Sequence, residues 1–209
     1  MTPQSNESQK ETTPGRALEL LVEGNRRFVA QAPLQRDALA AIAETKGGQA
    51  PFAAVLSCID SRVPVEMVFD QGIGDVFSAR IAGNFVNDDL LGSIEFATKV
   101  AGSKLVVVLG HTSCGAVKGA VDDVRMGHLT RMLAHIRPAV DAVDDPTDPA
   151  LRVSSNASFV DDVVVKNVDL SVQAIRERSP LLREQEADGE ILIVGAVYDV
   201  ATGGVDFRR

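Results

Sequence analysis

Apolar residues in this chain are grouped into short runs with few polar interruptions, and these runs predict its strands. They occupy residues 52–56, 105–109 and 191–198, and a more mixed run occupies 76–81. Such runs are typical of parallel strands that helices cover on both faces. A Thr-Gly-Gly turn leads into residues 205–207, which predict a short antiparallel partner strand.

Between the strands, apolar residues recur at helical spacing. The pattern predicts helices over 14–30, 36–45, 88–100, 125–143 and 158–178, a helical turn over 64–69 and a helix that opens at Gly115. This alternation predicts a single α/β domain with a mostly parallel central sheet of about four strands, an antiparallel edge strand, helices on both faces and an N-terminal helical arm. The domain should span residues 14–209, because residues 1–13 are polar and aperiodic and predict a disordered lead-in.

Composition and charge narrow the choice of partner. The net charge of −8 and the pI near 4.9 argue against nucleic acid, whose phosphates need a basic surface. Residues 1–15 lack the apolar core of a signal peptide or membrane segment. Two cysteines are too few for a disulfide framework and fit a reducing compartment. We therefore expect a cytoplasmic protein that has no membrane partner and acts on a small molecule.

Side chains that can bind a soft metal follow two of the predicted strands. Cys58 comes after the first strand, and His111 and Cys114 come after the strand 105–109. Parallel strands present their carboxyl ends side by side, so the three side chains can converge. Two thiolates and one imidazole are typical of catalytic zinc with an open fourth position. Asp60 is the nearby candidate for that position in a closed state.

Other interpretations of these residues remain open. The cysteines could be small buried apolar residues or could form a disulfide, although the inferred compartment disfavours a disulfide. Cys58 could also be a nucleophile activated by Arg62, but Asp60 lies between them and would repel an anionic substrate. The remaining histidines, His128 and His135, are predicted to be exposed surface residues.

Two motifs carry a specific resemblance to a known family. They are Cys58-Ile59-Asp60-Ser61-Arg62 and His111-Thr112-Ser113-Cys114-Gly115, and together they resemble the β-class carbonic anhydrases. Segments 24–28, 80–84 and 195–199 fall in the family's order, so the resemblance spans roughly residues 15–207. It implies one Zn²⁺ per chain on Cys58, His111 and Cys114, and an Asp60–Arg62 pair.

The activity implied by the resemblance is reversible hydration of CO₂ to bicarbonate and a proton. In our hypothesis zinc-bound hydroxide attacks CO₂, Asp60 orients the hydroxide, and Arg62 keeps Asp60 ionised. Hydrolysis of COS or CS₂ at the same site is an alternative, and so is a zinc-containing bicarbonate sensor without turnover.

The resemblance also implies a substrate pocket and an oligomer. Its substrate-binding positions are Gln49, Phe77, Ala82, Phe96 and Gly115. Phe77 and Phe96 could equally be core residues. In the family Gln49 reaches the neighbouring protomer, which implies a homodimer or a higher even oligomer. The N-terminal helix, which has no evident partner in its own chain, would cover that neighbour.

One position departs from some bacterial members of the family. Those members hold bicarbonate in a side pocket with a Trp, an Arg and a Tyr. Arg80 and Tyr198 could match the last two, but Val55 replaces the Trp. The sequence therefore argues against that allosteric site.

Overall fold

A five-stranded sheet is the centre of the computed structural model, which describes residues 5–208. The strands are β1 (Ala53–Ser57), β2 (Val76–Arg80), β3 (Leu105–His111), β4 (Leu192–Tyr198) and β5 (Val205–Arg208). Their order is β2-β1-β3-β4-β5, with parallel pairing throughout except for β5, which is antiparallel to β4. The predicted parallel sheet with an antiparallel edge strand is confirmed.

Helices connect the strands in the described part of the chain. They are α1 (Asn6–Glu11), α2 (Pro14–Val29), α3 (Ala38–Thr45), α4 (Val65–Val68), α5 (Asp88–Glu95), α6 (Gly115–Val121), α7 (Gly127–Leu133), α8 (Arg137–Asp141), α9 (Ala157–Arg178) and α10 (Pro180–Ala187). A π-helical turn, Phe96–Val100, extends α5, and a 3₁₀ turn occupies Pro149–Leu151. None of the helices within residues 5–208 combines the length and apolarity that a membrane crossing requires.

Two helix predictions differ from the structure. The single helix expected over 125–143 is two helices, because α8 begins afresh with Pro138 in its first turn, where the missing N–H of proline is tolerated. The sequence pattern also did not predict α10. This helix follows α9 directly, since Ser179 caps it with its hydroxyl and Pro180 opens it.

Alternate residues of the central strands face two separate helical layers, as predicted. On one face, Leu105, Val107 and Leu109 of β3 pack with α2 and α4. On the other face, Val106 and Val108 pack with α5, α9 and α10. Because both faces are covered, β1 is buried along its whole length, whereas the edge strand β2 is half-exposed.

Glycines in β3 and β4 let the long helix α9 approach the sheet closely. A Cβ on Gly110 or Gly195 would lie 2.6 Å from a methyl group of Val168. The two glycines therefore form the surface on which Val168 of α9 rests, next to the carboxyl end of β3. This contact brings α9 near the end of the sheet where the candidate metal ligands lie.

The N-terminal helix α2 packs on its own chain, so the premise that it lacks a partner there is wrong. Ala17, Leu18 and Leu21 are buried in the core beside the sheet. Asn25 donates to the carbonyls of Val68 (3.1 Å) and Gly203 (2.9 Å). Apolar burial and these hydrogen bonds fix α2 within the protomer.

The predicted disorder of residues 1–13 is wrong where the structure describes them. Ser5 caps α1, and Gln9 of that helix is buried. Its amide donates to the carbonyls of Pro51 (2.7 Å) and Ala101 (2.8 Å), which ties α1 to the amino end of the sheet. The periodic pattern missed this helix because it is short and one amide, not an apolar face, anchors it. The prediction for residues 1–4 lies outside the described residues.

Candidate metal centre

Cys58, His111 and Cys114 come together at the carboxyl edge of the sheet. Their ligand atoms lie within 4.8 Å of one another, and all three residues are buried. The register of β1 and β3 pairs Ser57 with Leu109, so Cys58 leaves its strand beside the end of β3. His111 is the last residue of β3, and Cys114 is the residue before α6. Within residues 5–208 this is the one cluster of His, Cys and acidic side chains with such geometry.

The imidazole of His111 has the bonding expected of a metal ligand. Its Nδ1 lies 2.9 Å from the carbonyl of Thr112, which fixes Nδ1 as the donor. Its Nε2 is buried and has no hydrogen-bond partner among the described residues. A buried acceptor nitrogen without a partner is unfavourable unless something binds it. The lone pair of Nε2 therefore fits a metal shared with the two thiols.

The two thiols differ in their surroundings. The pKa of Cys58 is lowered by its interaction with Cys114 and by the Gly83 amide, whose N–H lies 3.3 Å from the Cys58 sulfur. The pKa of Cys114 is raised by its interaction with Cys58 and by burial. The two thiols therefore titrate as a pair, and ionisation of one opposes ionisation of the other. A cation between them would favour ionisation of both, as a zinc site requires.

Asp60 and Arg62 form a bidentate pair beside the cluster. Arg62 donates from Nε to Oδ1 (2.9 Å) and from Nη2 to Oδ2 (2.8 Å) of Asp60. The guanidinium holds the pKa of Asp60 well below its usual range. Oδ2 of Asp60 lies 3.8 Å from Nε2 of His111, so the carboxylate faces the cluster. Because Arg62 is engaged by Asp60, the geometry gives no support to activation of Cys58 by Arg62.

Arg80 holds the backbone of the cysteine loop from the neighbouring strand. Its Nε donates to the carbonyl of Cys58 (2.9 Å) and its Nη2 to the carbonyl of Asp60 (2.7 Å). The resemblance relates Arg80 to a side pocket for bicarbonate. In this structure its guanidinium holds the turn that carries Cys58 and Asp60.

The predicted pocket residues occupy three different places. Phe77 and Phe96 contact each other with ring centroids 6.3 Å apart and line a groove beside β2, where Phe96 is half-exposed. Gly115 follows Cys114 at the start of α6, and Ala82 precedes Gly83 in the turn after β2. Gln49 is exposed before β1, at the opposite end of the sheet from Cys58. One chain therefore does not bring Gln49 to its own metal centre.

The remaining histidines lie outside the cluster, as predicted. His128 is exposed, and the exposed ring of His135 stacks on Phe85 with centroids 4.4 Å apart. The sequence did not predict that three further residues help to hold the cysteine loop, namely Arg80, Gly83 and Asn167. Asn167 did carry a signal, since it is a polar residue on the apolar side of a predicted helix.

The fold and the cluster define an α/β protein with a Cys-His-Cys cluster that could hold a metal at the carboxyl edge of a mostly parallel sheet. The carbonic anhydrase family model matches residues 53–205. Carbonic anhydrase 2 of Mycobacterium tuberculosis is 39% identical over 201 residues, which cover 94% of each chain. The chain belongs to the β-class carbonic anhydrase family, and its enzyme class is carbonic anhydrase.

Two further similarities bear on substrate and assembly. A carbon disulfide hydrolase of Acidianus sp. is 31% identical over 157 residues, which cover 71% of this chain and 72% of that protein. One of two tetrameric β-carbonic anhydrases of the ascomycete Sordaria macrospora has a solved structure with a TM-score of 0.68. It is 26% identical and covers 79% of this chain and 84% of its own.

Proposed function

We propose that this chain binds one Zn²⁺ through Cys58, His111 and Cys114 and hydrates CO₂ reversibly. The proposal is carried by Nε2 of His111, which is buried beside two thiols and the ionised Asp60 and has no hydrogen-bond partner among residues 5–208. Zinc, when bound, would supply the Lewis acidity that makes water a nucleophile near neutral pH. Free thiols at both cysteine positions fit action in the reducing cytoplasm.

The side chains around the cluster have distinct roles in this proposal. Asp60 accepts a hydrogen bond from the attacking oxygen nucleophile through Oδ2, which aims a lone pair at the carbon of CO₂. Arg62 keeps Asp60 ionised and fixes its rotamer through two hydrogen bonds. Its Nη2 also lies 3.3 Å from the carbonyl of Ser113, which joins the two motif loops.

The experiment that tests the proposal measures metal content and turnover on the same preparation. We expect about one zinc per chain and rapid CO₂ hydration by stopped flow. A fully active protein without zinc would contradict the proposal.

Hydrolysis of CS₂ is the second candidate, favoured by the similarity to a carbon disulfide hydrolase. The same residues would suit attack of an oxygen nucleophile on CO₂, COS or CS₂, since each is a small linear molecule with an electrophilic carbon. Turnover of the three substrates by one preparation separates the candidates. Faster release of sulfide from CS₂ than hydration of CO₂ would reverse our assignment.

The variant Asp60→Asn tests the role of the Asp60 carboxylate. We expect it to keep zinc but to lower kcat for CO₂ hydration roughly 10²-fold, because an amide accepts less strongly and can present a donor to the nucleophile. The pKa of Asp60 lies below its usual value of about 4. Asp60 therefore does not titrate in the assay range and stays ionised. The substitution should therefore lower the pH–rate profile without shifting it above about pH 5.

A matched control for this variant is Asp123→Asn. Asp123 pairs with Arg125 two residues later through the same kind of fork, at 2.9–3.2 Å, but on the exposed surface. Asp123→Asn should leave kcat unchanged. Full activity of zinc-loaded Asp60→Asn would rule out the role of Asp60.

We further propose that Gln49 binds substrate at the metal centre of a second copy of the chain. Gln49 lies at the far end of its own sheet, and a tetrameric relative shares the fold. The groove beside β2 offers a surface for that copy, since Phe96 is exposed there and one side of β2 has no strand partner in the described chain.

Mixed oligomers test this arrangement. Gln49→Ala should lower activity roughly tenfold through a lost hydrogen bond, and Cys58→Ala should be inactive. Co-expressed in equal amounts, they should recover roughly a quarter of wild-type activity, because half of the dimers contain one site with both residues intact. Activity equal to the simple sum of the two separate variants would place Gln49 in its own chain or remove its role.

A further inference from the structure

We propose that Asn167 of α9 is a positioning residue that aims the Gly83 amide at the sulfur of Cys58. The proposal rests on the zinc site argued above and adds a residue that touches neither the cysteine nor the substrate. Through this contact, helix α9 would influence the thiolate of Cys58.

The Gly83 amide belongs to a tight turn after β2. The N–H of Asn84 donates to the carbonyl of Ile81 (3.0 Å), and Gly83 has a φ of +80°. These are the features of a type II turn with glycine at its third residue. In such a turn the central peptide is rotated relative to a type I turn, and here its N–H points at the Cys58 sulfur, 3.3 Å away. In the more common type I turn the central peptide has the opposite orientation, so the same N–H would not point at the sulfur.

Two contacts hold the turn in this form. Asn167 is 3% exposed, and its Nδ2 donates to the carbonyl of Gly83 at 2.8 Å. From the other side Ile136 limits the space, since a Cβ on Gly83 would lie 2.3 Å from its Cδ1. Gly83 is therefore required by both its φ and its packing, and Asn167 fixes the orientation of its carbonyl.

Apart from this hydrogen bond, the position of Asn167 on the buried side of α9 favours an apolar residue. Its neighbours along the buried side of α9 are Val163, Val164 and Val168. Burying an amide among valines is unfavourable unless its hydrogen bonds are made, and Leu would serve packing better. The hydrogen bond to Gly83 is the one that the structure gives to its side chain.

The two cysteines belong to different elements. Cys114 is the residue before α6. Cys58 follows a strand and depends on the turn for the Gly83 donor. An N–H donor on a thiolate stabilises its charge and reduces its electron donation to a metal, so the turn should set both zinc affinity and the acidity of the centre.

The test compares Asn167→Leu with the wild type, using zinc affinity and the spectrum of the Co²⁺-substituted protein. Without the amide of Asn167 the carbonyl of Gly83 loses its donor, so Gly83 can shift and its N–H can move away from the sulfur. We expect zinc affinity, measured by competition with a chromophoric chelator, to fall roughly tenfold. The sulfur-to-cobalt charge-transfer band should move to lower energy, because the thiolate becomes more electron-rich.

Ser171→Ala is the matched control, since Ser171 is a buried polar residue about one turn further along α9. It should change neither zinc affinity nor the cobalt band. Asn167→Ser, which is smaller but retains a donor, provides a second variant if Asn167→Leu does not fold, and the same changes are expected because its hydroxyl is too short to reach the Gly83 carbonyl.

The outcomes separate this proposal from the proposed function. A wild type that binds neither zinc nor cobalt would overturn the zinc site itself, and this inference with it. A wild type that binds both, with folded Asn167 variants whose affinity and band are unchanged, would overturn only the role of Asn167. Weaker zinc binding with an unmoved band would also overturn it, because a general loss of packing would explain that result.

Discussion

Cys58→Ala is expected to reduce bound zinc from about one per chain to almost none and to abolish CO₂ hydration, while the chain remains folded. Among the described residues three candidate ligands converge on the centre, so losing one leaves an imidazole and a single thiolate. The variant also leaves the Gly83 N–H without its acceptor, which should cost about 1–3 kcal/mol of stability. Metal analysis, stopped-flow hydration and thermal unfolding on one sample measure all three effects.

Ser57→Ala is the control for this variant. Ser57 is fully buried in β1 next to Cys58, and its hydroxyl makes only a long contact of 3.5 Å with the Cys58 carbonyl. We expect it to retain zinc and activity. If Cys58→Ala kept one zinc per chain with normal turnover, the Cys-His-Cys assignment would be wrong.

Gly24→Ala is expected to destabilise the protein by roughly 3 kcal/mol and to lower Tm by roughly 6–12 °C. Gly24 lies in the middle of α2, where alanine would ordinarily favour the helix by about 1 kcal/mol. Here a Cβ would lie 1.8 Å from the carbonyl oxygen of Phe69, which is a backbone atom. No rotamer change can relieve that clash, so α2 must move away from Phe69 at the end of α4.

Gly15→Ala in the same helix is the opposite case. Gly15 is exposed, and no atom lies within 4 Å of the position of its Cβ. This substitution should leave stability unchanged or raise it by up to about 1 kcal/mol. Urea or thermal unfolding of the two variants measures the difference. Equal stabilities would show that α2 does not dock on Phe69 as described.

The order of strands and helices could be predicted because it follows from local pattern. Five consecutive apolar residues of β3 can be covered only in a sheet with two helical layers, and the structure has both layers. Helix boundaries within 125–143 and the start of α10 were missed. They depend on where single prolines and capping hydroxyls fall, and the apolar period does not record these.

Contacts between distant segments could not be predicted from pattern. Gln9 anchors α1 to Pro51 and Ala101, and Asn167 reaches Gly83 across 84 positions of sequence. Each is a single polar side chain in a segment whose own pattern gives no information on its partner. For the same reason the sequence did not show what the apolar side of α2 packs against. In the structure it packs against the sheet of its own chain.

The sequence by itself determined the α/β class and the three candidate metal ligands, because apolar runs specify strands and cysteine and histidine after two such runs specify a soft metal site. The tertiary structure decided how these ligands are held. It showed that Nε2 of His111 lacks a partner within the described part of the chain, that Arg62 and Asp60 form a fork beside the cluster, and that Arg80 and Gly83 fix Cys58. The physical reason is that a ligand's identity is a local property, whereas its orientation and charge depend on hydrogen bonds from elements brought together only by folding.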